Sequence, residues 1–219
     1  MRPKIRRALP EFLENFPRLQ THPIPWKGKN GRIDWMEVAK TLQVDQAVSE
    51  VGWIEPGENP ARKALREFVR KKLSSYQQGR NDPTKDATSN LSPYLHFGHI
   101  CAQRVALEVT KSDADGESRE AFLEELIVRR ELSDNFCFYN DHYDSFEGFP
   151  EWAKKKLNDH RRDPREHIYS LEDFEHANTH DQLWNAAQRE MTRTGKMHGY
   201  MRMYWGKSSW SGQNRLRRQ

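Results

Sequence analysis

The stretch Thr88-Ser89-Asn90-Leu91-Ser92-Pro93-Tyr94-Leu95-His96-Phe97-Gly98-His99-Ile100-Cys101 holds the residues best suited to chemistry in this chain. A hydroxyl-rich loop runs into a helix start, with Ser92 the expected N-cap and Pro93 the expected first helical residue. Unpaired backbone N–H groups and the positive end of the helix dipole suit a phosphate or diphosphate there. An ordinary capped helix has the same signature. Upstream, Tyr76 and Arg80 stand four residues apart, so they share a helix face and can reach one phosphate. A half-buried packing role is the alternative for Tyr76. Downstream, Glu125 lies between Phe122 and Ile127 in an apolar helical stretch, where an unpaired carboxylate is costly. Its alternative is an i,i+4 salt bridge to Arg129 on a wet face.

Other chemistries find little support. His96, His99 and Cys101 have a loosely ligand-like spacing but no fourth ligand, so no metal is expected. Gly195-Lys196 lacks the glycine five residues earlier that a phosphate-binding Walker loop needs, and no Gly-x-Ser-x-Gly elbow occurs.

The elements that must position these residues read as mainly α. Residues 1–60 are broken by Pro10, Pro17, Pro23, Pro25, Pro56 and Pro60, which leaves room for short helices such as 33–42 and suggests a Pro/Trp-rich connector wrapping a core. A helix is expected over 60–79, from Ala64, Leu65, Phe68, Val69 and Leu73. A loop over 78–90 follows, then helices over 93–109 and 118–138, and a loop at 139–150. Shorter helices are expected near 151–158, 171–177, 181–194 and 198–206. No period-2 strand or repeat is evident.

Composition bounds the class. Charged residues make up 31% of the 219, yet 7 Trp, 7 Tyr and 10 Phe argue for a folded chain over a disordered one. Cys101 and Cys137 are expected to be small buried hydrophobes and not a disulfide. No apolar run suits a bilayer span or a signal peptide, so an intracellular protein with no membrane partner is expected. The net charge of +4 is uneven: residues 191–219 hold seven Lys/Arg and no Asp or Glu, and Arg62, Lys63, Arg66, Arg70, Lys71 and Lys72 form a second basic cluster. Such patches fit nucleic-acid phosphate, although a solvated helix face explains the second equally well.

Four stretches together carry a family resemblance. They are the 88–101 run, Phe122-Leu123-Glu124-Glu125-Leu126-Ile127-Val128-Arg129-Arg130-Glu131-Leu132-Ser133-Asp134-Asn135-Phe136-Cys137, Thr179-His180-Asp181-Gln182-Leu183-Trp184-Asn185-Ala186-Ala187-Gln188, and Gly195-Lys196-Met197-His198-Gly199-Tyr200-Met201-Arg202-Met203-Tyr204-Trp205. In this order and spacing the chain resembles the class II cyclobutane pyrimidine dimer photolyases of the photolyase/cryptochrome family, from about residue 2 to residue 207.

The resemblance implies a helical FAD-binding domain over 61–207, incomplete at its C-terminus, and light-driven repair of cyclobutane pyrimidine dimers in DNA by electron transfer. It implies FAD contacts from Tyr76, Arg80, Ser89, Asn90, Leu91, Ser92 and Leu95, with Arg202 near the redox-active edge of the flavin. It gives Glu125 a hydrogen bond to the dimer's base edge, best made by a protonated carboxyl, with Glu124 as the fallback. Trp205 and Trp184 match two members of an indole relay to the flavin, or else are core residues; the third member falls at Gly212. Residues 208–219 depart from the family and read as a divergent basic tail, a frame change or premature end. The partner implied is dimer-containing DNA, and a monomer is expected. A cryptochrome-like photoreceptor, a non-catalytic DNA-binding fragment and an inert truncated product are the alternatives.

Overall fold

The computed structural model of the chain describes residues 1–18, 20–25, 27–28, 31–45 and 47–212, the last three by backbone alone. Twelve α-helices are described: α1 (Arg2–Phe12), α2 (Trp35–Thr41), α3 (Glu58–Lys71), α4 (Tyr76–Gly79), α5 (Ser92–His96), α6 (Ala102–Thr110), α7 (Gly116–Leu123), α8 (Arg130–Tyr139), α9 (Glu151–Asp159), α10 (Leu171–Glu175), α11 (Gln182–Thr194) and α12 (Gly199–Gly212). No β-strand occurs among the described residues. The mainly α expectation holds.

The main core is assembled from α3 to α7 and the turn that follows. On α3, Ala61, Leu65 and Phe68 recur at i, i+4 and i+7 and are buried together with Leu73, Tyr76, Val105, Val109, Phe122 and Leu126. Three aromatic rings fix the angle between α3, α4 and α7: Phe68 lies 4.8 Å from Phe122, and Tyr76 meets Phe122 edge-on at 5.2 Å. The connector closes over this core. Leu13 and Ile54 pack against it, Gln103 Nε2 donates to the Phe12 carbonyl at 2.6 Å, and the Arg104 guanidinium lies 4.3 Å from the Phe16 ring.

Two of the long helices read from periodicity are broken and a third is distorted. The 60–79 helix stops at Lys72 and restarts after a 3₁₀ turn at Leu73–Ser75, which turns Leu73 fully inward. Buried Ser118 serves the break: its hydroxyl donates to the Ser74 carbonyl at 3.2 Å and accepts from Gln77 N–H at 3.4 Å. The 93–109 helix splits at Gly98, whose φ of +69° ends α5 while Tyr94 O accepts from His99 and Ile100 N–H. The 118–138 helix is continuous but widens to a π-helix over Glu124–Arg129, a distortion common near functional groups.

A second layer is built from α10 to α12. The Asp181 carboxylate caps α11 by accepting from Leu183 and Trp184 N–H, and Gly195 ends it in the left-handed region at φ +68°. Ala187, Met197 and Met201 form its core, with Tyr204 and Trp205 packed on them. Helix α12 runs to Gly212, past the expected end near residue 206 and into the stretch read as divergent. Arg215, Arg217 and Arg218 lie outside the described residues, as does the Trp210 side chain. Two further expectations are corrected. Helix α1 spans eleven residues with Pro10 inside it, and Cys101 and Cys137 are both exposed free thiols, because each falls on the outer side of its segment.

Candidate flavin and electron-transfer site

The anion-suited loop lies between α4 and α5 and carries its own hydrogen bonds. Ser92 is not the cap. Leu91, in αR geometry, takes the N-cap position of α5 and no side chain caps the helix, so the five-residue helix offers no capped N-terminus. The loop is organised by its own side chains instead. Ser89 Oγ accepts from Leu91 N–H at 3.4 Å, Thr88 Oγ1 donates to Asn90 Oδ1 at 3.2 Å, and Asn90 adopts φ +57°. Leu91 is buried to 1% exposure and Leu95 packs on the core, while Ser92 faces solvent.

Lys196 reaches into this loop from beyond α11. Its Nζ donates to Asn90 Oδ1 and lies 5.3 Å from the Trp53 ring, and burial pushes its pKa below the ordinary lysine value. Nearby, His198 is buried with Nδ1 accepting from Tyr200 N–H at 3.3 Å, which puts the proton on Nε2. That Nε2 is buried without a partner, as is Arg80 Nε. Burial pushes the His198 pKa down as well.

Arg80 and Glu125 are direct partners: Nη1 meets Oε1 at 2.6 Å, and Arg129 Nε joins the same oxygen at 3.2 Å. Glu125 thus combines the i,i+4 salt bridge to Arg129 with a second guanidinium from Arg80. Arg80 also lies 5.7 Å from the Tyr76 ring, and burial raises the pKa of that phenol. Tyr76, Arg80 and Glu125 are therefore one cluster, with the π-helical turn carrying Glu125 toward α4.

The indoles of Trp184 and Trp205 are stacked, with centroids 5.8 Å apart and planes 13° from parallel. Each ring nitrogen is held. Trp184 Nε1 donates to Trp205 O at 3.1 Å and to Ser209 Oγ at 3.2 Å, and Trp205 Nε1 donates to Gln188 Oε1 at 2.9 Å. Trp184 is 2% exposed. Arg202 is exposed and makes no salt bridge among the described residues.

Over 214 residues the chain is 51% identical to the deoxyribodipyrimidine photo-lyase of Oryza sativa subsp. japonica, a match that covers 94% of this chain and 42% of that protein. The crystal structure of a bacterial class III photolyase from Agrobacterium tumefaciens aligns with a TM-score of 0.54 and 25% identity, over 70% of this chain and 30% of that one. This chain belongs to the photolyase/cryptochrome family. Likeness to the cryptochrome branch is weaker: Cryptochrome-1 of Sinapis alba is 31% identical over 68% of this chain and 24% of its own length. No family model matches. The chain spans about two fifths of the length of the photolyases of Oryza sativa and Arabidopsis thaliana that it matches.

Within this photolyase-type chain, sequence reasoning missed Lys196 as the partner of Asn90 and His198 as a buried imidazole two residues on. Both stand in the Gly195–Trp205 stretch, and a lysine and a histidine amid Met197 and Met201 were the available signal. Ser118, Gln188 and Ser209 were missed for another reason. Each is an unremarkable polar residue in sequence, and only the fold shows what it ties together.

Proposed function

We propose that this chain forms the flavin- and lesion-binding portion of a class II deoxyribodipyrimidine photolyase, which splits cyclobutane pyrimidine dimers in DNA by light-driven electron transfer. The observation that carries this reading is the parallel, hydrogen-bonded indole pair Trp184–Trp205, held in a chain of photolyase sequence. FAD, when bound, supplies light absorption and the transferable electron.

The donors fit that group. Two nitrogens are buried without partners, Arg80 Nε and His198 Nε2, and Lys196 brings a desolvated ammonium to Asn90; an anionic diphosphate needs such groups. Asn90, Ser89, Leu91, Ser92 and Leu95 would line the diphosphate side with Tyr76 and Arg80, and Arg202 would face the redox-active edge. The stacked indoles would pass electrons inward, Trp205 from Trp184. Glu125 would orient the lesion's base edge, exchanging a guanidinium partner for it. The flipped lesion enters beside the cofactor, while Lys63, Arg66 and Arg70 on exposed positions of α3 add phosphate attraction.

The test is dimer loss in an oligonucleotide carrying one thymine dimer, mixed with the chain and reduced FAD, under blue light and in darkness. Light-dependent reversal supports the reading. A flavin-loaded chain that leaves the dimer intact in light contradicts it.

A further inference from the structure

We propose that Trp53, on the connector, is a positioning residue for the flavin diphosphate: its indole holds the Lys196 ammonium against the Asn90 amide, where the diphosphate is read to bind. The proposal deepens the flavin reading and rests on it. Trp53 grips the turn after α11 at two points. Its Nε1 donates to the Thr194 carbonyl at 2.8 Å, and its ring lies 5.3 Å from Lys196 Nζ. The turn between these points is itself held. Lys196 N–H donates to Thr194 Oγ1 at 3.3 Å, and that hydroxyl donates to the Glu190 carbonyl at 2.8 Å. Gly195 takes φ +68°, and a Cβ there would stand 2.9 Å from Val51 Cγ2, so the connector packs directly on the turn.

Lys196 reaches the loop with its charge uncommitted. Its Nζ donates to Asn90 Oδ1, and it makes no salt bridge among the described residues. Of the acids that act on it, Asp86 is paired with Lys72 at 2.6 Å, and Glu190 accepts from His198 N–H at 3.3 Å. A ring face attracts an ammonium without neutralising it, so the positive charge is left for an anionic ligand. Asn90 Oδ1 accepts from Thr88 Oγ1 as well as from Lys196. Two donors on the oxygen settle how the amide is turned and leave Nδ2, with its two N–H bonds, as the end free for a ligand. Ammonium and amide donors together suit phosphate oxygens. Riboflavin, which lacks the diphosphate, has no use for them. The flavin site thus draws on residue 53, outside the 61–207 stretch.

The test titrates the purified 219-residue chain with FAD and, separately, with riboflavin. Wild type is compared with Trp53→Leu, Trp53→Phe, Lys196→Met and each Trp53 change combined with Lys196→Met. Leucine keeps apolar bulk but offers neither a ring face nor an N–H, whereas phenylalanine keeps the ring face alone. The expected result is FAD affinity about five-fold lower in Trp53→Leu, with a smaller loss in Trp53→Phe. Riboflavin affinity is expected to be the same in all three. With Lys196→Met already present, the change at residue 53 is expected to cost no further FAD affinity. Unchanged FAD affinity in Trp53→Leu overturns the proposal. So does a loss shared equally by FAD and riboflavin, or one that persists in full without Lys196, since either makes Trp53 a purely structural residue. Should Trp53→Leu fail to fold, Trp53→Phe and Lys196→Met form the same cycle, and additive losses overturn the proposal. A wild-type chain that binds no FAD sinks the flavin reading and this proposal with it. A wild-type chain that binds FAD but is indifferent to residue 53 sinks Trp53 alone.

Discussion

Glu125 accepts from Arg80 and Arg129 at once, so a base edge that takes this carboxylate as a partner must draw it away from a guanidinium. Replacement by alanine removes both ion pairs and is expected to cost about 1–2 kcal/mol of stability. The same Glu125→Ala change should lower repair yield per absorbed photon while flavin content stays level. Equal loss of flavin and repair would give Glu125 a structural role through Arg80. His198 supports a second prediction. Its imidazole is buried and its pKa lies below the ordinary 6.5, mainly from desolvation, against Glu190 and Asp82 raising it and Lys196 and Arg202 lowering it. The folded chain therefore holds it neutral while the unfolded chain takes a proton first. Stability from this group is present above about pH 6.5 and is lost as pH falls toward the depressed folded value. Urea midpoints measured across that window should fall for wild type and fall less for His198→Gln; parallel curves would remove His198 as the cause.

At the scale of elements, α11 depends on its cap. Asp181 accepts from two backbone N–H groups and from the Tyr204 hydroxyl, and the hydrogen bonds hold its pKa down against the effect of burial. Asp181→Ala should cost about 1–2 kcal/mol, read as a lower thermal midpoint, with much of it recovered in Asp181→Asn; no change would mean that packing alone fixes α11. The indole pair bridging α11 and α12 gives a functional counterpart. Trp205→Phe should slow photoreduction of oxidised flavin without abolishing repair by chemically reduced flavin, and unchanged photoreduction would remove Trp205 from the relay. The helices themselves were legible in sequence because apolar residues recur with helical period, as at Leu65 and Phe68, and Asp181 and Gly195 mark their ends. The breaks at Lys72 and Gly98 were not. The break at Lys72 depends on a remote side chain, the Ser118 hydroxyl, and the one at Gly98 on a positive φ that turns His99 and Ile100 N–H back onto the Tyr94 carbonyl. Ser92 misled because Ser-Pro is a cap signature, and here the chain is already in helical geometry at Leu91. Cys101 and Cys137 misled because apolar character was taken for burial, whereas each falls on an outward face.

For the whole molecule, two packed layers meet where Lys196 joins the Asn90 loop and where Trp53 Nε1 donates to the Thr194 carbonyl at 2.8 Å. No helix among the described residues is long and apolar enough to cross a membrane. The family was legible from four stretches in order. The pairing of Arg80 with Glu125 was not, since it joins residues 45 apart through a π-turn that no local pattern announces. The central claim is that these layers still hold a flavin. Its most direct test is the absorption spectrum of the purified chain after FAD addition and gel filtration. The account predicts flavin that co-elutes with the protein and shows resolved vibrational structure in its blue band. A colourless protein peak, with all flavin eluting free, would contradict it.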